Sequence, residues 1–164
     1  MHVSKRAVPA NSEHESMETQ FRKAVLPGEL RSLVAFDRRI FSNADRFGVT
    51  DWKHCESYWL LIDAGKIGCC AFQTKIPGRP RSLYIATTGI LPRFQRMGFG
   101  NLFKSWQIAY ARRHGFARIV THTRQHNAAM IALNEKHGFK AIGTVPRYYR
   151  EPPDLAVIME LLLK

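Results

Sequence analysis

The sequence predicts a single-domain α/β fold, one mixed, twisted sheet of about seven strands flanked by helices. Three observations carry that expectation. The chain has 164 residues, a length that suits one domain. Its hydrophobic content is 45% and its charged content 23%, enough for a core without disulfide or metal staples. Short β-rich runs alternate with stretches of helical apolar spacing, in the order β-α-(α)-β-β-β-α-β-α-β-β.

Residues 1–18 are polar, with few apolar side chains, and read as a disordered tail; residues 19–164 form the domain. A first strand is expected over 19–26, stopped by Pro27-Gly28. Across 29–41, Leu30, Leu33, Val34, Ile40 and Phe41 follow helical spacing, interrupted by Asp37. Residues 42–57 read as a loop with a short helix near Asp51, a candidate N-cap. Two strands follow at 57–62 and 66–73, joined by a turn at Asp63-Ala64-Gly65. A basic, Pro-rich loop (75–82) leads to a strand at 83–91. Gly98 opens a helix whose apolar face carries Phe99, Leu102, Phe103, Trp106 and Tyr110, and Gly115 closes it. A strand at 117–123 precedes a helix that Asn127 caps and Gly138 stops. Strands at 139–145 and 154–163 complete the sheet.

Charge and cysteines bound the function classes. Lys plus Arg number 25 and Asp plus Glu 13, a formal charge of +12. Such a balance suits nucleic acid, an acidic macromolecular surface or a polyanionic small ligand. The charges are spread, with no block of five basic residues, which counts against nucleic acid. The odd set Cys55, Cys69 and Cys70 argues against a disulfide framework and fits buried thiols in a reducing cytoplasm. Cys69 and Cys70 would face opposite sides of their strand. No C-x-x-C or H-E-x-x-H spacing occurs, and neither a secretory leader nor a membrane-length apolar run is read.

The most informative segment is Ile90-Leu91-Pro92-Arg93-Phe94-Gln95-Arg96-Met97-Gly98-Phe99-Gly100. A buried strand runs into a glycine turn that opens an amphipathic helix. The first N–H groups of a helix lack internal partners, and the helix dipole is positive there. Glycines let a ligand approach that backbone, so the segment is physically a phosphate cradle, with charge added by Arg93 and Arg96.

The spacing Gln95-x-x-Gly98-x-Gly100 resembles the acetyl-CoA diphosphate motif of the GNAT N-acetyltransferase superfamily. Residues 127–139 resemble its second cofactor motif, and the order of elements matches over about 19–163. The resemblance implies a GNAT fold whose central parallel strands, 83–91 and 117–123, splay around pantetheine. It implies that backbone near Ile90 and Leu91 binds the acetyl and pantetheine portion. It also assigns Gln95, Arg96, Met97, Gly98, Phe99 and Gly100 to the diphosphate, and Asn127 and Asn134 to the cofactor. Many members carry Tyr where Asn134 stands and use that phenol to reprotonate the leaving thiolate; an amide has no such proton.

Within the superfamily, residues 83–100 and 121–127 look most like N-terminal protein acetyltransferases, including the bacterial enzymes that modify ribosomal proteins. That likeness places catalytic residues at Tyr84 and His122, and acceptor-binding residues at Phe41, Tyr148 and Tyr149. Ser42-Asn43 depart from the Pro-containing pair that often follows the pocket phenylalanine. The chemistry agrees, because an ammonium cannot attack a thioester and must first lose a proton. Imidazole near ~6.5 suits an α-amine near ~8 better than a lysine near ~10.4. The activity implied is acetyl transfer to a protein or peptide amine, foremost an N-terminal α-amine, by direct attack through a tetrahedral intermediate. The acceptor would be free or ribosome-associated, and the enzyme a cytoplasmic monomer or homodimer. A small-molecule amine acetyltransferase is the second reading, and a non-catalytic basic binding module on the same fold is the third.

Overall fold

The computed structural model describes residues 17–164. The expected tail therefore lies outside the described residues, apart from its last two positions.

Strands β1 (Thr19–Lys23), β2 (Glu56–Ile62), β3 (Gly65–Gln73), β4 (Ser82–Ile90), β5 (Arg118–Arg124), β6 (Lys140–Arg150) and β7 (Pro153–Leu162) build one sheet. Its order is β1-β2-β3-β4-β5-β7-β6. Among the described residues, β4 and β5 are parallel and the other neighbours antiparallel. Among the described residues, four α-helices join them: α1 (Leu30–Asp37), α2 (Val49–Lys53), α3 (Phe99–Arg113) and α4 (Ala128–Lys136). The two-residue turn between β2 and β3 has Asp63 and Ala64 at φ 47° and 67°. That twist matches the flanking strands of a tight hairpin.

The sheet is covered on both faces, and period-two alternation sorts its residues between two cores. Tyr58, Leu60, Cys70 and Phe72 pack with Phe103, Tyr110 and Ala111 of α3. Trp59, Leu61, Cys69 and Ala71 pack with Leu33 and Phe36 of α1 and Trp52 of α2. The adjacent cysteines thus occupy different cores, and all three thiols are free and buried.

Some boundaries differ from expectation. The helix expected over 29–41 ends at Asp37. Turns carry the chain on to Phe41, whose N–H donates to the Asp37 carbonyl at 3.0 Å. Ile40 still packs on the core, because apolar spacing reports burial rather than backbone pairing. Asp51 does not cap α2; Gly48 does, and Asp51 Oδ2 accepts its N–H at 2.7 Å. Strand β1 stops at Lys23, while Ala24 turns inward onto the α1 core. Strand β6 runs five residues beyond the expected 145, because β7 stays paired with it as far as Pro153.

Candidate active site

The parallel register of β4 and β5 runs from Ser82↔Arg118 to Ile85↔Thr121 and stops. Beyond it the two strands continue, to Ile90 and Arg124, without pairing to each other. On the other edge of β4, Ala71 pairs with Thr87 and Phe72 with Ile85, so Ala86 has no partner on β3. A bulge therefore sits where the strands part, and bulges bend a strand and re-aim its side chains.

A cavity of about 380 Å³ opens in this wedge. Ala86, Thr87 and Thr88 wall it from β4, and Thr121, His122, Thr123 and Arg124 from β5. Phe41, Tyr148, Tyr149 and Asn127 also line it, as does Lys104 of α3. A second cavity of about 570 Å³ adjoins it, lined by Ile76, Arg79 and Ile142 among others. Gln73, Tyr84, His122 and Tyr148 line both and form the partition between them.

At that partition, Nδ1 of His122 lies 2.9 Å from the Tyr84 hydroxyl. The strand register explains the meeting: Tyr84 pairs with Val120, and His122 is the next residue on that face of β5. Tyr148 stacks on the imidazole, with centroids 5.2 Å apart and planes 3° from parallel. Burial pushes the Tyr84 phenol well above its usual range, and the neighbouring Tyr148 adds to the rise. Burial also lowers His122. Both groups are therefore neutral near pH 7, and the Tyr84 O–H can donate to Nδ1.

Two extended neighbours would face opposite sides of β6, yet Tyr148 and Tyr149 line the same cavity. The reason is an irregularity in β6: Val145 pairs with Ala156 and Tyr149 with Asp154, and Arg147 adopts φ 54°. Tyr149 lies under Arg124, whose guanidinium carbon is 4.1 Å from the ring centroid. Arg124 also pairs with Asp45 at 2.7 Å and donates to the carbonyls of Glu151 and Pro152. One side chain thus ties the α1–α2 connection to the β6–β7 turn.

The glycine turn lies at the other end of β4. Gly98 caps α3 at φ 89°, and Arg96 has φ 61°. Left-handed residues alternating with others aim successive N–H groups into one concavity. No side chain caps this helix and its first turn holds no acid, so its opening amides are open to an anion. A Cβ on Gly98 would meet nothing within 4 Å, whereas one on Gly100 would touch Leu133 at 3.4 Å. The first glycine therefore faces open space, and the second lets α3 pack against α4. Met97 is exposed and Phe99 is buried in the core. The Gln95 amide donates to the Ile90 carbonyl at 2.9 Å, bracing the turn.

Among the remaining residues read from the sequence, Leu91 donates its N–H to Ile67, and neither Ile90 nor Leu91 lines the wedge cavity. Asn127 caps α4 by accepting from the Met130 N–H at 3.1 Å, which leaves its amide nitrogen for a ligand. Asn134 is fully buried behind Thr123, with Oδ1 unpartnered. Sequence reading missed Arg124, Asp45, Thr87, Thr88 and Lys104. The parity of Arg124 with His122 along β5 was the available signal for the first; Asp45 had none.

A family model described as "Acetyltransferase (GNAT) family" matches residues 28–139. A protein called probable N-acetyltransferase san, from Drosophila melanogaster, is 29% identical over 147 residues, 84% of this chain and 78% of that protein. N-alpha-acetyltransferase 50 from Danio rerio is 32% identical over 109 residues, 65% of this chain and 63% of that one. The ribosomal-protein-S18-alanine N-acetyltransferase from Escherichia coli superposes with a TM-score of 0.78 at 19% identity. That superposition covers 90% of this chain and 95% of the other. Among the described residues no helix is long and apolar enough to cross a membrane. The uncapped, acid-free start of α3 fits the diphosphate of the family's donor. The chain belongs to the GNAT family: it is an N-acetyltransferase, and its donor is acetyl-CoA.

Proposed function

We propose that the acceptor is the N-terminal α-amine of a protein or peptide, and that Tyr84 and His122 together remove its proton. The observation that carries this is the 2.9 Å contact between His122 Nδ1 and the Tyr84 hydroxyl at the partition of the two cavities. The amine gives its proton to the Tyr84 oxygen as the Tyr84 O–H passes to Nδ1, so neither group need hold an unfavourable charge beforehand. A neutral imidazole suits an α-amine. A lysine, ~2.4 units more basic, would cost about 3 kcal/mol more to present neutral at the same pH.

Acetyl-CoA supplies an acyl carbon activated by its thioester. The N–H groups of residues 96–100 hold its diphosphate, with Arg93 and Arg96 adding charge. Asn127 and the Ala86–Thr88 backbone orient what lies in the wedge. Phe41, Tyr148 and Tyr149 wall the acceptor's first residue, and the Arg124–Asp45 pair fixes the distance between those walls. The names of the Danio rerio and Escherichia coli proteins, an N-alpha-acetyltransferase and an alanine acetyltransferase, support a backbone amine.

The test offers acetyl-CoA with paired peptides that carry an internal lysine and either a free or a formyl-blocked N-terminus. Thiol release is followed. Turnover confined to the free-terminus peptide is expected. Equal rates on both would move the acceptor to lysine and overturn the reading.

A further inference from the structure

Helix α3 buries a cation, Lys104, that lies off its apolar stripe. Lys104 is only 4% exposed, and among the described residues no hydrogen bond or ion pair ends its side chain. Its ammonium lies 5.0 Å from the Phe139 ring centroid, and the residue lines the wedge cavity together with Thr88 and Thr123. The titratable groups facing it are the Cys70 thiol on β3 and His137 at the end of α4. Burial drives Cys70 upward and His137 downward, so both are neutral. Burial likewise brings Lys104 down to about 8. A buried ammonium without a counter-charge is a strained element unless a ligand completes it.

We propose that Lys104 is the acid that protonates coenzyme A's sulfur as the acetyl group departs. This rests on the acetyl transfer described above. The new C–N bond forms and the C–S bond breaks, with its electron pair going to sulfur. The amine's proton passes to His122 through Tyr84, and an ammonium proton of Lys104 passes to sulfur, leaving a free thiol. His122 then loses its proton to water and Lys104 regains one, so the cycle balances. Tyr84 and His122 are engaged with each other on the acceptor side. Asn134, buried nearby behind Thr123, has no acid proton to give. A thiol ionises near ~8.5, close enough to Lys104 for proton transfer in either direction. Before protonation, the cation also stabilises the developing thiolate.

The test compares the full chain with Lys104→Met. The first readout is the ultraviolet absorbance of the coenzyme A thiolate, bound to each protein, titrated against pH. Thiol ionisation is expected at least one unit lower on the unaltered protein than on the variant. The second is affinity at pH 8.5 for coenzyme A and for desulfo-coenzyme A. The variant is expected to lose several-fold on the first compound and nothing on the second. In turnover, the fall in kcat as Lys104 deprotonates above pH 8 should vanish in the variant. An unshifted thiol titration, or equal losses on both compounds, overturns the proposal and leaves acetyl transfer standing. Failure of the unaltered protein to bind coenzyme A would instead strike the reading of the site itself. Removing an unpaired buried charge should not lower the melting temperature, and Lys104→Gln carries the same comparisons if Met does not fold.

Discussion

Replacing Tyr84 by Phe deletes one oxygen atom from the partition between the two cavities, and the structure sets what should follow. The hydroxyl sits 2.9 Å from His122 Nδ1, and in the proposed relay it links that imidazole to the acceptor. Positioned proton transfer contributes ~10²- to 10⁴-fold to rate. That corresponds to about 3–5 kcal/mol of barrier. Tyr84→Phe and His122→Ala should each lower kcat by that range. In the proposed relay the two groups act as a unit, so the double variant should be no slower than the slower single. Tyr148, stacked 3° from parallel on the imidazole, holds the ring in place when the hydroxyl is gone. The unpaired nitrogen costs about 1–3 kcal/mol of stability, a fall of several degrees in Tm and far from unfolding at assay temperature. The assay is steady-state thiol release with saturating acetyl-CoA and a free-terminus peptide, with thermal melts alongside. In the unaltered enzyme kcat/KM for peptide should rise with pH along two limbs. The lower lies below the ordinary histidine range, since burial depresses His122, and the upper near ~8 reports the amine. Losses that multiply in the double variant would show two independent groups and refute the relay.

Two further outcomes test other parts of the site. Gly98→Val forces a β-branched residue to φ 89° and sets its side chain in the open space before α3. Calorimetry should show at least tenfold weaker coenzyme A binding, and the strain, ~1–2 kcal/mol, should lower Tm by a few degrees. Arg124→Ala releases Asp45 and the carbonyls of Glu151 and Pro152, loosening the walls of the proposed acceptor pocket. Charge-assisted bonds of this kind are worth ~1.5–3 kcal/mol, so KM for peptide should rise roughly tenfold or more with a smaller change in kcat.

What the amino-acid order determined by itself was local. The β2–β3 hairpin with its turn at Asp63-Ala64-Gly65, the glycine turn before α3 and the Asn127 cap of α4 involve residues within a few positions of each other. Their chemistry acts through backbone dihedrals and i+3 hydrogen bonds, so they were legible, as was the fold they compose. The tertiary structure decided where long separations meet. Tyr84 reaches His122 across 38 residues and Arg124 reaches Asp45 across 79, because strand register and turn geometry place them there. The wedge exists because pairing between β4 and β5 stops at Ile85↔Thr121 beside the unpaired Ala86. Lys104 lies off the apolar stripe read along α3, and that stripe gives no sign of its burial. It is buried because the sheet, α4 and Phe139 close over that face of the helix, and such enclosure is a property of packing that no local pattern encodes.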